Sequence, residues 1–131
     1  MVKIITGNRG SGKTKVLIDL VHAAYESSQG NVICVDQKRK LSRAINPRVR
    51  LVAAEDYSIA GYDAFYGFLS GLCAGNYDIT DIFVDATLRI GGRDFEELAA
   101  FFEKVKKLDV NITFTVSAGK AELPESILAF I

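Results

Sequence analysis

The chain is short of the residues that usually announce metal, redox or membrane chemistry. It has two cysteines, Cys34 and Cys73, and one histidine in 131 residues. The cysteines lie far apart in apolar stretches, so they make neither a Cys-x-x-Cys pair nor a metal cluster, and two thiols are too few for a disulfide scaffold. Both are expected to be small core residues in a reducing compartment. His22 falls inside the first predicted helix with no partner in view and reads as structural. Charge of one sign is also lacking, since sixteen Lys and Arg balance sixteen Asp and Glu. With no global pull toward nucleic acid or anionic lipid, any such partner has to use a local patch. No apolar run approaches the ~18–20 residues of a membrane span. Residues Met1 to Gly7 run straight into a loop motif, which does not suit a secretory core. The expectation is a soluble, cytoplasmic protein with no membrane partner.

What is present is globular. Apolar residues make up 49% and charged residues 24% of a chain near the commonest single-domain size, so residues 1–131 are expected to form one domain. Val2–Thr6 is a β-branched run that ends in glycine, the pattern of a buried strand. Val16, Leu17, Leu20, Val21 and Ala24 recur at helical spacing between Lys13 and Ser28. Asn31–Asp36 is a second buried strand, residues 37–47 are polar and basic, and Val49–Ala53 is a short strand at an edge. Ala64, Phe65, Phe68, Leu69 and Leu72 mark a helix closed by Gly75-Asn76. Ile82–Asp85 is a strand that ends in an acid. Asp94 and Glu97 form a capping box for a helix with Phe95, Leu98, Ala99, Phe102 and Val105 on its buried face. Asn111–Ser117 is the last clear strand, and a short helix is expected after Pro124. Strands alternating with helices imply α/β architecture and a mainly parallel sheet of four to five strands covered on both faces. Thr6-Gly7, Asp36, Asp85 and Ser117 then converge at the strand C-termini, where open α/β sheets bind ligands.

The strongest local signal is Gly7-Asn8-Arg9-Gly10-Ser11-Gly12-Lys13-Thr14, a full match to G-x-x-x-x-G-K-[ST] between a strand and a helix. Gly7 lets the chain turn sharply off the strand, and Gly10 and Gly12 let backbone N–H groups curl around an anion. Lys13 can place its ammonium on terminal phosphates. Thr14 offers a hydroxyl to Mg²⁺, and Lys15 extends the segment into the first helical turn, whose positive end faces the phosphates. The expected second half of such a site is an acid ending a later buried strand, and Asp85 supplies it, with Asp36 as a rival.

On these residues the chain resembles the P-loop NTPase superfamily, and within it the additional-strand (ASCE) group that includes RecA-like and secretion-type ATPases. It is also similar to small bacterial ATP-binding proteins that carry a PilT-like, twitching-motility label. None of that motor's His-rich or acid-rich signatures is found, and no motor function is carried over. The resemblance implies a three-layer α/β/α P-loop NTPase fold, ATP and Mg²⁺ as cofactors, and Lys13 and Asp85 as catalytic groups. It makes Ser117 a candidate sensor of the γ-phosphate, with a solvated strand end as the alternative. Arg89 and Arg93, around Gly91-Gly92, are candidate γ-phosphate fingers, with a mobile loop bearing exposed arginines as the alternative. In the additional-strand arrangement Asn111–Ser117 lies between Val2–Thr6 and the Asp85 strand. Val2–Thr6 is then an apolar edge that Ile127–Ile131, or a second copy in a homodimer, would have to cover. In the kinase–GTPase arrangement Val2–Thr6 is central.

One part of the family pattern is missing. Asp85 is followed by Ala86-Thr87 where many of these ATPases have a water-activating glutamate, and Asp36-Gln37-Lys38 offers no glutamate after the second strand. Asn-Lys-x-Asp is absent as well, which makes GTP the less favoured nucleotide. The expected function is therefore a nucleotide-dependent switch or slow ATPase. A small kinase is an alternative, with Tyr57, Tyr62 and Tyr66 in the only substantial insert available to line an acceptor pocket. A nucleic-acid-dependent oligomeric ATPase is another, resting on Lys38, Arg39, Lys40, Arg43, Arg48 and Arg50. A solvated loop is preferred for that basic stretch, because no aromatic platform is interleaved.

Overall fold

Short apolar runs pair into a single sheet in the computed structural model, which describes residues 1–131. The strands are β1 (Val2–Thr6), β2 (Asn31–Asp36), β3 (Arg50–Ala53), β4 (Ile79–Val84) and β5 (Asn111–Val116). All neighbours are parallel, in the order β1-β5-β4-β2-β3. Of the two arrangements weighed from sequence, this is the one with β5 between β1 and β4, so β1 is an edge strand. The helices are α1 (Lys13–Ser27), α2 (Tyr62–Gly75), α3 (Thr87–Gly91), α4 (Phe95–Val105) and α5 (Glu125–Leu128).

The side-chain alternation of the strands sorts two cores onto opposite faces of the sheet. Ile33, Val35, Ile82, Val84, Ile112 and Phe114 join α2, α4 and α5 in the larger one. Its centre is aromatic: the Phe65 and Phe101 rings stack at 5.0 Å, and Phe114 meets Phe101 edge-on at 5.6 Å. Val32, Cys34 and Phe83 face the other way and pack on Leu17 and Val21 of α1. Helices on both faces of an all-parallel sheet are compatible with the three-layer expectation. By the same alternation Asp36, Asp85 and Thr115 belong to the α1 face. That parity places the polar strand ends beside the start of α1.

Several local expectations need correction. Residues 37–49 are not a purely solvated loop, because Leu41, Ile45 and Val49 bury their side chains against α1. The Asn46 amide donates to His22 Nε2 at 3.2 Å, so this histidine ties that segment down. β4 begins at Ile79, three residues before its expected start. The glycine pair after Arg89 is not part of a mobile loop: Thr87–Gly91 is a helix whose end is clamped to α2. Gly61 N donates to Ile90 O at 2.9 Å and Tyr62 Oη to Gly92 O at 2.7 Å. α2 does stop at Gly75, but Asn76 is extended and not left-handed. Its side chain instead donates to Asn31 Oδ1 and accepts from the Asp78 amide.

The C-terminal residues close the apolar edge within the chain. The Ile4 amide donates to Phe130 O at 3.0 Å, the Phe130 ring lies 5.3 Å from that of Phe102, and Ile127 is fully buried.

Candidate functional site

At the C-terminal ends of the strands a cleft of about 660 Å³ opens between the glycine loop, β2, β4, α3 and β5. That volume suits a small-molecule ligand. Its wall carries the side chains of Arg9, Lys13, Lys40, Arg89 and Arg93 against the two carboxylates Asp36 and Asp85. A polar cleft with this excess of cations selects for an anionic ligand.

The loop from Gly7 to Gly12 leaves β1 with Gly10 at φ +83° and Gly12 at φ +90°, conformations that favour glycine. A Cβ on Gly7 would overlap the Ser11 hydroxyl, so this position also needs glycine. The Gly7 amide donates to Ala118 O at 3.2 Å, which ties the loop to the end of β5. No side chain caps the N-terminus of α1 and its first turn has no acid, so its first amides remain available to an anion. Lys13 is 8% exposed, and its Nζ donates to Asn8 O at 3.0 Å and Ser11 Oγ at 3.4 Å. Burial lowers the pKa of this ammonium, while the Asp85 charge acts in the opposite direction. A cation desolvated among neutral acceptors gains most from an incoming anion.

Thr14 and Asp85, 71 residues apart, meet directly: Thr14 Oγ1 donates to Asp85 Oδ2 at 3.1 Å. The other carboxylate oxygen is held by Thr115 Oγ1 at 2.6 Å, and Thr115 Oγ1 accepts the Ala86 amide at 3.1 Å. Ala86 itself is left-handed, at φ +58°, an uncommon conformation for a residue with a Cβ. Two protein oxygens from Thr14 and Asp85 fit Mg²⁺, which binds one or two carboxylates and completes its shell with water and phosphate oxygens. No group of three or more His, Cys, Asp or Glu stands ready to hold an ion by itself.

Asp36 lies on the same wall and makes no hydrogen bond to Thr14. Its Oδ1 accepts the Gln37 amide at 2.8 Å, and Oδ2 is buried with no partner. Burial, then the Asp85 charge, raise its pKa above the ordinary carboxyl value, against the pull of the Gln37 amide, the Lys40 charge and the Lys38 amide. Burial, then the Asp36 and Asp85 charges, push the neighbouring Cys34 thiol up to about 12, which makes it an inert core residue.

The other sequence candidates are distributed unevenly. Arg9, Gly10, Gly12, Lys13, Thr14, Asp85, Arg89, Arg93 and Ser117 share the cleft. Asn8 and Ser11 serve it through the Lys13 contacts. The Lys15 ammonium pairs with Asp19 at 2.9 Å, so only its backbone belongs to the loop. Arg93 donates to Ser117 O at 3.3 Å and lies 3.6 Å from Glu122. The Arg89 side chain makes no ion pair or hydrogen bond; only its backbone amide donates, to Ala86 O at 3.0 Å. Tyr57, Tyr62 and Tyr66 lie off the cleft wall, so they do not line an acceptor site there. Of the basic stretch, only Lys40 reaches the cleft, and Arg39 pairs with Asp56 at 2.7 Å. Sequence reasoning missed Thr115. The signal was available: Thr113, Thr115 and Ser117 alternate with apolar residues, which marks one polar strand face. No protein-family model matches this chain, and no curated protein matches it.

Proposed function

We propose that this chain binds a nucleoside triphosphate, ATP with Mg²⁺, in the cleft at the strand C-termini, and acts as a nucleotide-dependent switch or slow ATPase. The observation that carries the reading is the Thr14–Asp85 hydrogen bond beside the glycine loop and the buried Lys13. In this reading the loop amides and Lys13 hold the terminal phosphates, and Thr14 and Asp85 hold Mg²⁺. The bound cation would offset charge on the phosphate oxygens. Arg89 is the free cation nearest in sequence to Asp85 and can pair with a phosphate oxygen. In this reading Lys13 and Asp85 are also the catalytic groups. Absence of an Asn-Lys-x-Asp segment favours ATP over GTP.

The test is thermal unfolding with and without Mg-ATP, for wild type and Lys13→Ala. Ligand at ~100 Kd adds about 2.7 kcal/mol of stability, a rise in Tm of several degrees. Wild type is expected to show that rise and Lys13→Ala to lose it. Equal shifts in the two proteins would place any binding elsewhere and end this reading.

A further inference from the structure

Elsewhere on the surface cations stand among acids, as in the Lys15–Asp19, Arg93–Glu122 and Lys106–Glu103 pairs. Residues 37–54 break that pattern. This stretch holds six of the sixteen Lys and Arg of the chain and no Asp or Glu. All six of these residues are exposed. Arg39 pairs with Asp56, beyond the stretch, whereas Lys38, Lys40, Arg43, Arg48 and Arg50 make no ion pair.

The strip is held in place from beneath. Leu41, Ile45 and Val49 recur at four-residue intervals and bury against α1, and the Ile45 amide donates to Leu41 O at 3.0 Å. The Asn46 amide bonds His22 Nε2, and the Arg48 amide bonds Asn46 Oδ1 at 2.9 Å. From Arg50 the chain continues as β3 along β2. The anchors thus set the backbone positions of the cations, whose like charges repel until an anion is shared among them. The chemistry of that anion is narrowed by what the strip lacks. No residue from 37 to 54 is aromatic, so no platform exists for stacking unpaired bases. None of the large exposed apolar side chains falls there either, and a protein interface or a membrane surface calls for some. Four of the six cations are arginines, whose guanidinium forks match phosphate oxygens.

We propose that residues 38–50 bind the phosphodiester backbone of a nucleic acid duplex without reading its sequence. The chain carries no net charge, so the attraction comes from this strip and not from the molecule as a whole. Contacts to phosphate oxygens position a protein on a duplex and carry no base information. DNA and RNA duplexes share this chemistry. Lys40 belongs both to the strip and to the cleft wall, so a duplex lying along the strip passes the mouth of the cleft. The surface is distinct from the glycine loop and does not depend on the nucleotide reading above.

The experiment follows the fluorescence anisotropy of labelled DNA and RNA duplexes of about 20 base pairs with the full chain, from about 50 to 200 mM salt. Wild type is expected to bind with a Kd in the micromolar range at the low-salt end. Each neutralised phosphate contributes about −0.9 to the slope of log K against log salt on DNA, so five free cations give a slope of up to about −4.5. Arg43→Gln/Arg48→Gln should weaken binding and make the slope shallower by about 1.8, while Arg43→Lys/Arg48→Lys should keep it. Lys107→Ala/Lys120→Ala removes the same charge elsewhere on the surface and should bind as wild type does. Thermal melts show that each variant folds, and the wild-type slope needs no variant. Binding of either duplex with these slopes supports the proposal, and comparison of the two arms shows which one is preferred. No binding of either duplex at about 50 mM salt overturns it, as does a wild-type slope near zero. Arg43→Gln/Arg48→Gln that binds like wild type overturns it too, and so does an equal loss in Lys107→Ala/Lys120→Ala, which reduces the effect to net charge. Tighter binding of a single strand of the same length would reject the duplex. Binding to phosphatidylserine-containing vesicles, with neither duplex bound, would assign the strip to a membrane instead.

Discussion

At the scale of single residues, the site combines one carboxylate satisfied on both oxygens with one that has a single buried oxygen unmet. Asp85 is held on both oxygens, by Thr14 and Thr115. Thr115→Val keeps the shape of the strand and removes the 2.6 Å bond. A hydrogen bond to a charged group is worth about 1.5 kcal/mol, so Mg²⁺-dependent ATP affinity is expected to fall roughly tenfold. A titration of ATP with and without Mg²⁺ checks this, and an unchanged Mg²⁺ effect would mean that Thr115 does not orient Asp85. Asp36 has the opposite character. Its raised pKa means the folded state favours the protonated form. Its contribution to stability is therefore intact below the ordinary carboxyl range, near about pH 4, and is lost as pH rises toward the folded value. Asp36→Asn is expected to raise Tm at pH 7 and to change it little below about pH 4. Melts at both pH values read this out. A lower Tm at pH 7 would show that the ionised group is satisfied in the native protein.

At the scale of elements, α3 is the part of the site that local pattern misrepresents. Two glycines at its end suggest freedom, yet both are constrained: Gly91 lies against the Tyr62 ring and Gly92 supplies the carbonyl that Tyr62 Oη bonds at 2.7 Å. This clamp sets the position of Arg89 on the cleft wall. A Cβ at Gly91 would overlap the ring, so Gly91→Ala should cost about 1–3 kcal/mol, as overpacking does. Tyr62→Phe keeps the ring and loses one hydrogen bond, about 1 kcal/mol. Denaturant melts that rank Gly91→Ala below Tyr62→Phe and wild type would support the clamp. Equal stabilities would show that α3 yields to the added methyl.

At the scale of the whole molecule, the consequence of the strand order is an exposed β1, and the C-terminal tail resolves it. Deleting Leu128 to Ile131 strips the Ile4 amide of its 3.0 Å partner and removes Phe130 from Phe102. Loss of that apolar contact and hydrogen bond is expected to cost about 2–4 kcal/mol, a fall in Tm of roughly 10 °C. An uncovered apolar edge also invites pairing with a second copy. Light scattering alongside the melts reads both effects. An unchanged Tm and unchanged molecular mass would show that β1 needs no cover.

The glycine loop, Lys13 and Thr14 were legible in the amino-acid sequence as one contiguous motif, and Asp85 as an acid that closes an apolar run. The buried strands were legible too, since a parallel strand covered on both faces is a continuous apolar run. Other features exist only through pairing between distant segments. Thr115 matters because β5 lies beside β4, and Asp36 stands next to Asp85 because β2 lies on the other side of β4. The anchoring of residues 37–49 depends on α1 presenting Leu17 and Val21 to Leu41, Ile45 and Val49. The same strand patterns suit a central or an edge β1, because a strand's own residues record how deeply it is buried but not which strand is its neighbour. That choice was made in the tertiary structure by β5 inserting between β1 and β4, with Phe130 closing the edge that remained.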